Sequence, residues 1–185
     1  MIKPFTSFAM LVIAVVATAA AALADPYADV EKMGVAYSHA TSYRANIQTK
    51  QGAMNMEFSA PSKWHMQMGS TMEAIMIGSD AWYKVNGSWM HVSAAMAGMG
   101  PQKAISQAQN YVPQGNFKDD YDVTDLGMKD GYHAYDLRKK GASDHSVIYL
   151  RPDSLPAKIE ATHGSQTSTI TYTDWNTPIT ISPPQ

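Results

Sequence analysis

Cysteine is absent from all 185 residues. Disulfides, thiolate metal sites and cysteine nucleophiles are thereby excluded, and the core has to hold by burial alone. Charge is sparse: Asp, Glu, Lys and Arg make up 16% of the chain, and 14 basic against 16 acidic side chains leave a formal net charge of −2. The longest basic run is Arg138-Lys139-Lys140, which reads as an exposed hairpin tip able to meet anionic headgroups or a partner. It is too short to track a nucleic-acid backbone, so nucleic acid is not an expected partner.

Motifs of catalysis are missing too. The sequence has no nucleophile elbow, no zinc helix motif and no phosphate loop. The six histidines, His39, His65, His91, His133, His145 and His163, fall on different expected elements with no i,i+4 pair. His163-Gly164-Ser165 reads as a polar turn, and Lys118 to Asp125, "KDDYDVTD", gathers four acids without the glycine placement of a calcium loop, so it reads as a solvated loop. The expectation is a protein that is not an enzyme and has no cofactor.

What is present begins with one long apolar run. "MIKPF" supplies a lysine, "FAMLVIAVVATAAAA" an uncharged stretch, and "ALA" before Asp25-Pro26 a small-x-small pattern. Residues 1–24 are therefore expected to be a cleaved secretory signal, with Asp25 as the mature N-terminus. A membrane anchor is the alternative, but the run is short for a span and is followed by small residues and an acid. No Cys stands at the cleavage point, so the bacterial lipoprotein signature is lacking. The expected product is a single domain, residues 25–185, exported to the periplasm and not lipid-anchored.

Within it, Asp25-Pro26 opens like a helix cap followed by proline in the first turn, and Tyr27, Val30, Met33 and Tyr37 recur at helical spacing, predicting a helix to about His39. The period then changes to two. Short segments rich in aromatic, β-branched or Met residues alternate with Gly, Pro, Ser and Asn turns up to residue 93, and again from residue 121 to 175. Between them "GMGPQKAISQAQNYVPQG" places Ala104, Ile105, Ala108 and Val112 on one helical face after Pro101, predicting a second helix over residues 101–112, hinged as a lid at Gly98, Gly100 and Gly115. About eleven antiparallel strands must curl and be covered, which predicts an α+β fold: a strongly curved sheet, a half-open β-barrel, covered by two or three helices.

Methionine is the residue in excess, at 13 positions. Alternation puts Met54, Met56 and Phe58 on one side of a strand, Trp64, Met66 and Met68 on one side of the next, and His65 on the other. A hairpin around Pro61 would pair Phe58 with Trp64, Met56 with Met66 and Met54 with Met68. Met72 and Met76 continue a face, and Trp82 and Trp89, across an Asn86-Gly87 turn, add large apolar area. Three uses of this face are open: a Met/His copper site, helped by Met90-His91 or by Met96 and Met99; an adaptable wall for a hydrophobic ligand; or a core filled by the chain's own side chains in a regulatory or interaction domain. Because the ladder does not converge on one point and His65 faces away, the copper site is disfavoured, while the ligand wall and the filled core both stay open.

The order of "MEFSAPSKWHMQM", "IGSDAWYKVNGSWMHV", "DGYHAYDLR", "VIYLRPDSLPAKIEA" and "ITYTDWNTPITISPP" resembles the periplasmic lipoprotein-carrier (LolA-like) superfamily and its mycobacterial lipid-carrier (LppX/LprG-like) relatives, over most of the mature chain. The resemblance implies a half-open barrel closed by helices, whose interior takes acyl chains of a lipid or lipoprotein, acting as a monomer that also meets envelope membrane proteins. The ligand-binding residues expected are Met54, Met56, Phe58, Trp64, Met66, Met68, Met72, Met76, Trp82 and Trp89. One position departs from the carriers: Ala60 stands where they commonly have arginine, before Pro61, so a general hydrophobic-ligand binder fits better than dedicated lipoprotein sorting.

Overall fold

The computed structural model describes residues 25–70, 72–93 and 117–185. The expected signal, the expected lid helix with its glycine hinges, and Met96 and Met99 lie outside the described residues.

Helix α1 spans Pro26–Ser38. Asp25 caps it, its Oδ1 accepting from the Tyr27 backbone N–H at 3.0 Å, and Pro26 fits the first turn because its nitrogen has no hydrogen to leave unpaired. Val30 and Met33 are its buried residues. Six strands follow: β1 Ser42–Thr49, β2 Gly52–Ser59, β3 Lys63–Met68, β4 Met72–Ile77, β5 Asp80–Val85 and β6 Ser88–Ser93. A one-turn helix α2, Phe117–Asp120, leads into β7 Tyr121–Lys129, β8 Tyr132–Lys139, β9 His145–Leu150, β10 Pro156–His163 and β11 Gln166–Thr173. Lys118 to Asp125 is thus not a solvated loop; it is the last residues of that turn and the start of a strand, with Phe117 buried beneath it.

All eleven strands form one antiparallel sheet in the order β6-β5-β4-β3-β2-β1-β11-β10-β9-β8-β7. It is the expected curved, half-open arrangement: two meanders joined where β1 pairs with β11, from Arg44 opposite Thr173 to Gln48 opposite Thr169. The turns carry the residues their geometry demands. Asn86-Gly87 and Asp130-Gly131 take positive φ at both central positions, 50° and 82° in the first and 52° and 82° in the second, the conformation of a tight hairpin. The β2–β3 hairpin turns at Ala60-Pro61, whose peptide bond is cis, and the Ala60 N–H donates to the Thr41 carbonyl.

Helix α1 lies across the inner face of the sheet, from β7 to β1. Near its start, the Tyr27 hydroxyl donates to the Tyr121 carbonyl and the ring packs edge-on against Phe117, while the Tyr135 hydroxyl donates to Asp29 Oδ2 at 2.8 Å. At its end, the hydroxyls of Tyr37 and Tyr43 are 2.8 Å apart. Around them Tyr43, Phe58, Trp64, Tyr172 and Trp175 make a continuous set of ring contacts, with centroids 4.5 Å apart for Phe58–Trp64 and 4.8 Å for Tyr43–Trp175. Such rings supply more than their buried area, because edges meet faces. Burial pushes the Tyr43 hydroxyl well above its ordinary titration range, so this aromatic end stays neutral. One end of the half-barrel is thereby filled.

Candidate functional site

Strand register arranges the inner face into transverse rows. Nearest the aromatic end, the row runs Tyr43, Phe58, Trp64, Met76, Ala81, Val92. The middle row runs Tyr172, Ala45, Met56, Met66, Ala74, Tyr83, Met90. The outer row continues through both meanders: Tyr135, Ile148, Ile159, Ile170, Ile47, Met54, Met68, Met72. The hairpin pairs expected from the sequence, Phe58 with Trp64, Met56 with Met66 and Met54 with Met68, are the pairs found.

Burial falls along these rows. In the outer row Ile148, Ile159, Ile170 and Ile47 are buried, Met54 is half-buried, and Met68 and Met72 are 41% and 54% exposed. The middle row ends on Met90 at 53%, and Val85, at the end of β5, is 45% exposed. The Tyr83 hydroxyl, between Ala74 and Met90 in the middle row, is out of water without a hydrogen-bond partner among the described residues. Such a group costs about 1–3 kcal/mol unless something satisfies it. The β3–β5 corner of the rim is thus apolar and open, while the depth behind it is filled.

Of the ten expected ligand-binding residues, Met56, Trp64, Met66 and Met76 are buried in the main core, with Met54 and Phe58 packed against it. Met68 and Met72 are the exposed pair at the rim. Trp82 and Trp89 require a correction, because they lie on the opposite face. Trp82 is opposite Ile75 and His91, and Trp89 opposite Lys84, none of which belongs to the methionine rows. Size suggested that the tryptophans line the inside; strand alternation puts Tyr83 there instead. Outside, both pack with Ile77 against Ile75, Ile179 and Ile181, the last two from the C-terminal segment that follows β11. The sequence signal for this strap was the alternation of Ile179 and Ile181 between Pro178 and Pro183, too short to be read as an element.

The histidines do not join the methionines. His65 sits on the outer face with Nδ1 3.1 Å from Glu57 and Nε2 3.1 Å from Glu73, in a ladder that continues to Arg44 and Asp174 on one side and Lys84 on the other. His91 is 2.8 Å from Asp80. Among the described residues no group of three or more His, Asp or Glu is arranged to hold a metal ion.

Sequence reasoning missed a second feature of the rim. Beside the outer row, where the ends of β1 and β8 to β11 meet, a cavity of about 590 Å³ opens. That is within the usual range of roughly 300–1,000 Å³ for a ligand site. Its floor is small or polar, Thr49, Ser146, Ala161 and Ser168, with Leu137 and Tyr121 at one side. At its edge stand Lys50, Lys139, His145 and His163, with Asp144 as the single acid. No periodicity marks this cavity, because its lining comes from strands far apart in sequence. Among the described residues no helix is long and apolar enough to cross a membrane.

No family model and no curated protein matches this sequence. Solved structures do match the fold. The chain is similar to the lipoprotein LppX of Mycobacterium tuberculosis, with a TM-score of 0.59 at 14% identity over 85% of this chain and 100% of that one. It is similar also to LprF of Mycobacterium bovis, with a TM-score of 0.59 at 12% identity over 85% of this chain and 95% of that one. At such identities the likeness is one of fold, and the half-open barrel anticipated from motif order is the fold these lipoproteins share.

Proposed function

We propose that the protein is an exported carrier that binds the acyl chain of a lipid, or a ligand of similar apolar shape, in the periplasm after loss of residues 1–24. The observation that carries this reading is the gradient on the inner face: a methionine ladder that is packed core at Met56 and Met66 and open at Met68, Met72 and Met90. Methionine suits such a mouth, because an unbranched, polarizable side chain can repack around varied apolar shapes. Likeness of fold to LppX supports the same reading. The ligand contact set is narrower than the sequence suggested. Met54, Met68 and Met72 would receive the chain, with Tyr83 offering a hydroxyl and Met90 closing the edge.

Each methylene moved from water into such a groove contributes about 0.8 kcal/mol, so micromolar binding, about −8 kcal/mol after an association cost of roughly 4 kcal/mol or more, takes about fifteen methylenes, the length of one long acyl chain. Native mass spectrometry of the protein recovered from its own export route tests the proposal. A retained lipid mass is expected, and it should vanish in Met68→Glu/Met72→Glu, a change at exposed positions that leaves the thermal midpoint within a few degrees. Bare wild-type protein would instead favour a barrel closed on its own side chains. A copper adduct would favour the metal reading.

A further inference from the structure

From the rim cavity we infer a second subsite, one for an anionic headgroup, placed so that a bound amphiphile lies with its charge against β8–β11 and its chain against β2–β4. The inference rests on the carrier reading for the identity of the amphiphile, but the anion site stands on its own geometry.

Two facts about the cavity point to an anion. Two lysines, Lys50 and Lys139, line it against the lone acid Asp144, which is already held 2.7 Å from His163 Nδ1. Lys139 Nζ has no ion-pair partner among the described residues, although its neighbours in sequence do: Arg138 is paired with Asp136 and Lys140 with Asp122. Lys50 Nζ is held by the Ser165 carbonyl at 3.1 Å, which fixes an ammonium at the cavity edge without neutralising it. A phosphoryl or sulfate group accepts from ammonium and hydroxyl donors together, and Ser146 and Ser168 provide the hydroxyls.

The second argument is position. Ala161, opposite Ser146 and Ser168, lies two residues along β10 from Ile159, a member of the outer row. Thr49 lies two residues along β1 from Ile47, which is opposite Met54. The polar cavity therefore adjoins the outer row at Ile47 and Met54, and Met68 and Met72 follow on the next two strands of the same face. A cavity edged by lysines and hydroxyls would be out of place for a purely apolar ligand, since its donors would be desolvated unpaired.

Competition against a fluorescent fatty acid tests this with three probes sharing one pair of acyl chains or none: phosphatidylglycerol, diacylglycerol and inorganic phosphate. Phosphatidylglycerol is expected to bind at least tenfold tighter than diacylglycerol in the wild type, and Lys50→Glu/Lys139→Glu should bring the two within twofold while leaving diacylglycerol unchanged. The single variant Lys139→Gln, an exposed change, should lose several-fold of that preference and guards against misfolding of the double variant. Equal affinities in the wild type would overturn the headgroup subsite and leave the carrier reading intact. If neither lipid binds, the carrier reading fails; titration with inorganic phosphate by NMR then decides the anion site, with shifts at Lys50 and Lys139 that vanish in the double variant supporting it and no shifts overturning it.

Discussion

Met66 and Met72 share a face of the sheet, yet they belong to different parts of the protein. Met66 is 6% exposed and sits in the main core, whereas Met72 is 54% exposed at the rim. Truncating a buried methionine removes its transfer energy and leaves a cavity, so Met66→Ala should cost about 2–5 kcal/mol in urea unfolding, and Met72→Ala under about 0.5 kcal/mol. Equal costs would mean the rim methionines are packed. Glu57 and Glu73 carry a second prediction at this scale. For Glu57 burial pushes the carboxyl up, but hydrogen bonds from Arg44 and His65 outweigh it and hold the group below the usual carboxylate range. For Glu73 the Lys84 bond dominates over the opposing burial, with His65 helping, again in the downward direction. A carboxyl depressed in the folded state stabilises it fully above the ordinary carboxylate pKa and loses that contribution as pH falls through the lowered one. Urea midpoints should therefore drop in acid, and Glu57→Gln or Glu73→Gln should flatten the drop by about 1 kcal/mol each at most. An unchanged acid profile would remove the ladder from the stability of the sheet.

At the scale of elements, the segment after β11 behaves as a strap. The Asn176 N–H donates to the Ser42 carbonyl, its side chain accepts from the Thr41 N–H at 2.8 Å, and the Trp175 indole N–H donates to the Pro156 carbonyl at 3.0 Å. These bonds anchor the strap at the aromatic end and deliver Ile179 and Ile181 to the outer face of β4 and β5. Full burial of an isoleucine is worth roughly 1.5–3 kcal/mol. Ending the chain at residue 177 should therefore lower stability by about 3 kcal/mol and shift tryptophan emission to the red as Trp82 and Trp89 meet water. Emission that stays in place would show the strap to be dispensable cover. The tryptophans, then, serve the convex side, and their area is spent on holding the tail.

For the whole molecule, the sheet has an inside whose two ends differ, one filled by rings and one open. Oxidation with peroxide reads this difference across all described methionines at once, because thioether oxidation follows exposure. Met68, Met72, Met90 and Met128, the last at 68% exposure, should convert at least tenfold faster than Met33, Met56, Met66 and Met76. If the carrier reading holds, addition of a bound lipid should protect Met68 and Met72 and leave Met128, outside the rows, unprotected. Uniform rates would contradict the layered burial, and rates at Met68 and Met72 that ignore lipid would contradict the site.

The amino-acid sequence determined the elements and much of their pairing by local means. Period-two alternation, the Asn86-Gly87 and Asp130-Gly131 turns, and the Asp25-Pro26 cap act over a few residues, so they can be read without a fold, and the β2–β3 register follows from a hairpin alone. The shared methionine face was legible for the same reason. Tertiary structure decided what no local pattern encodes. Closure of β1 on β11 joins residues more than a hundred positions apart, and that seam creates both the continuous outer row and the polar cavity beside it. It also sets which end of a uniform-looking methionine ladder is sealed by aromatic rings and which is left at the rim. Alternation can assign a side chain to a face, but burial along that face depends on what the rest of the chain brings across it.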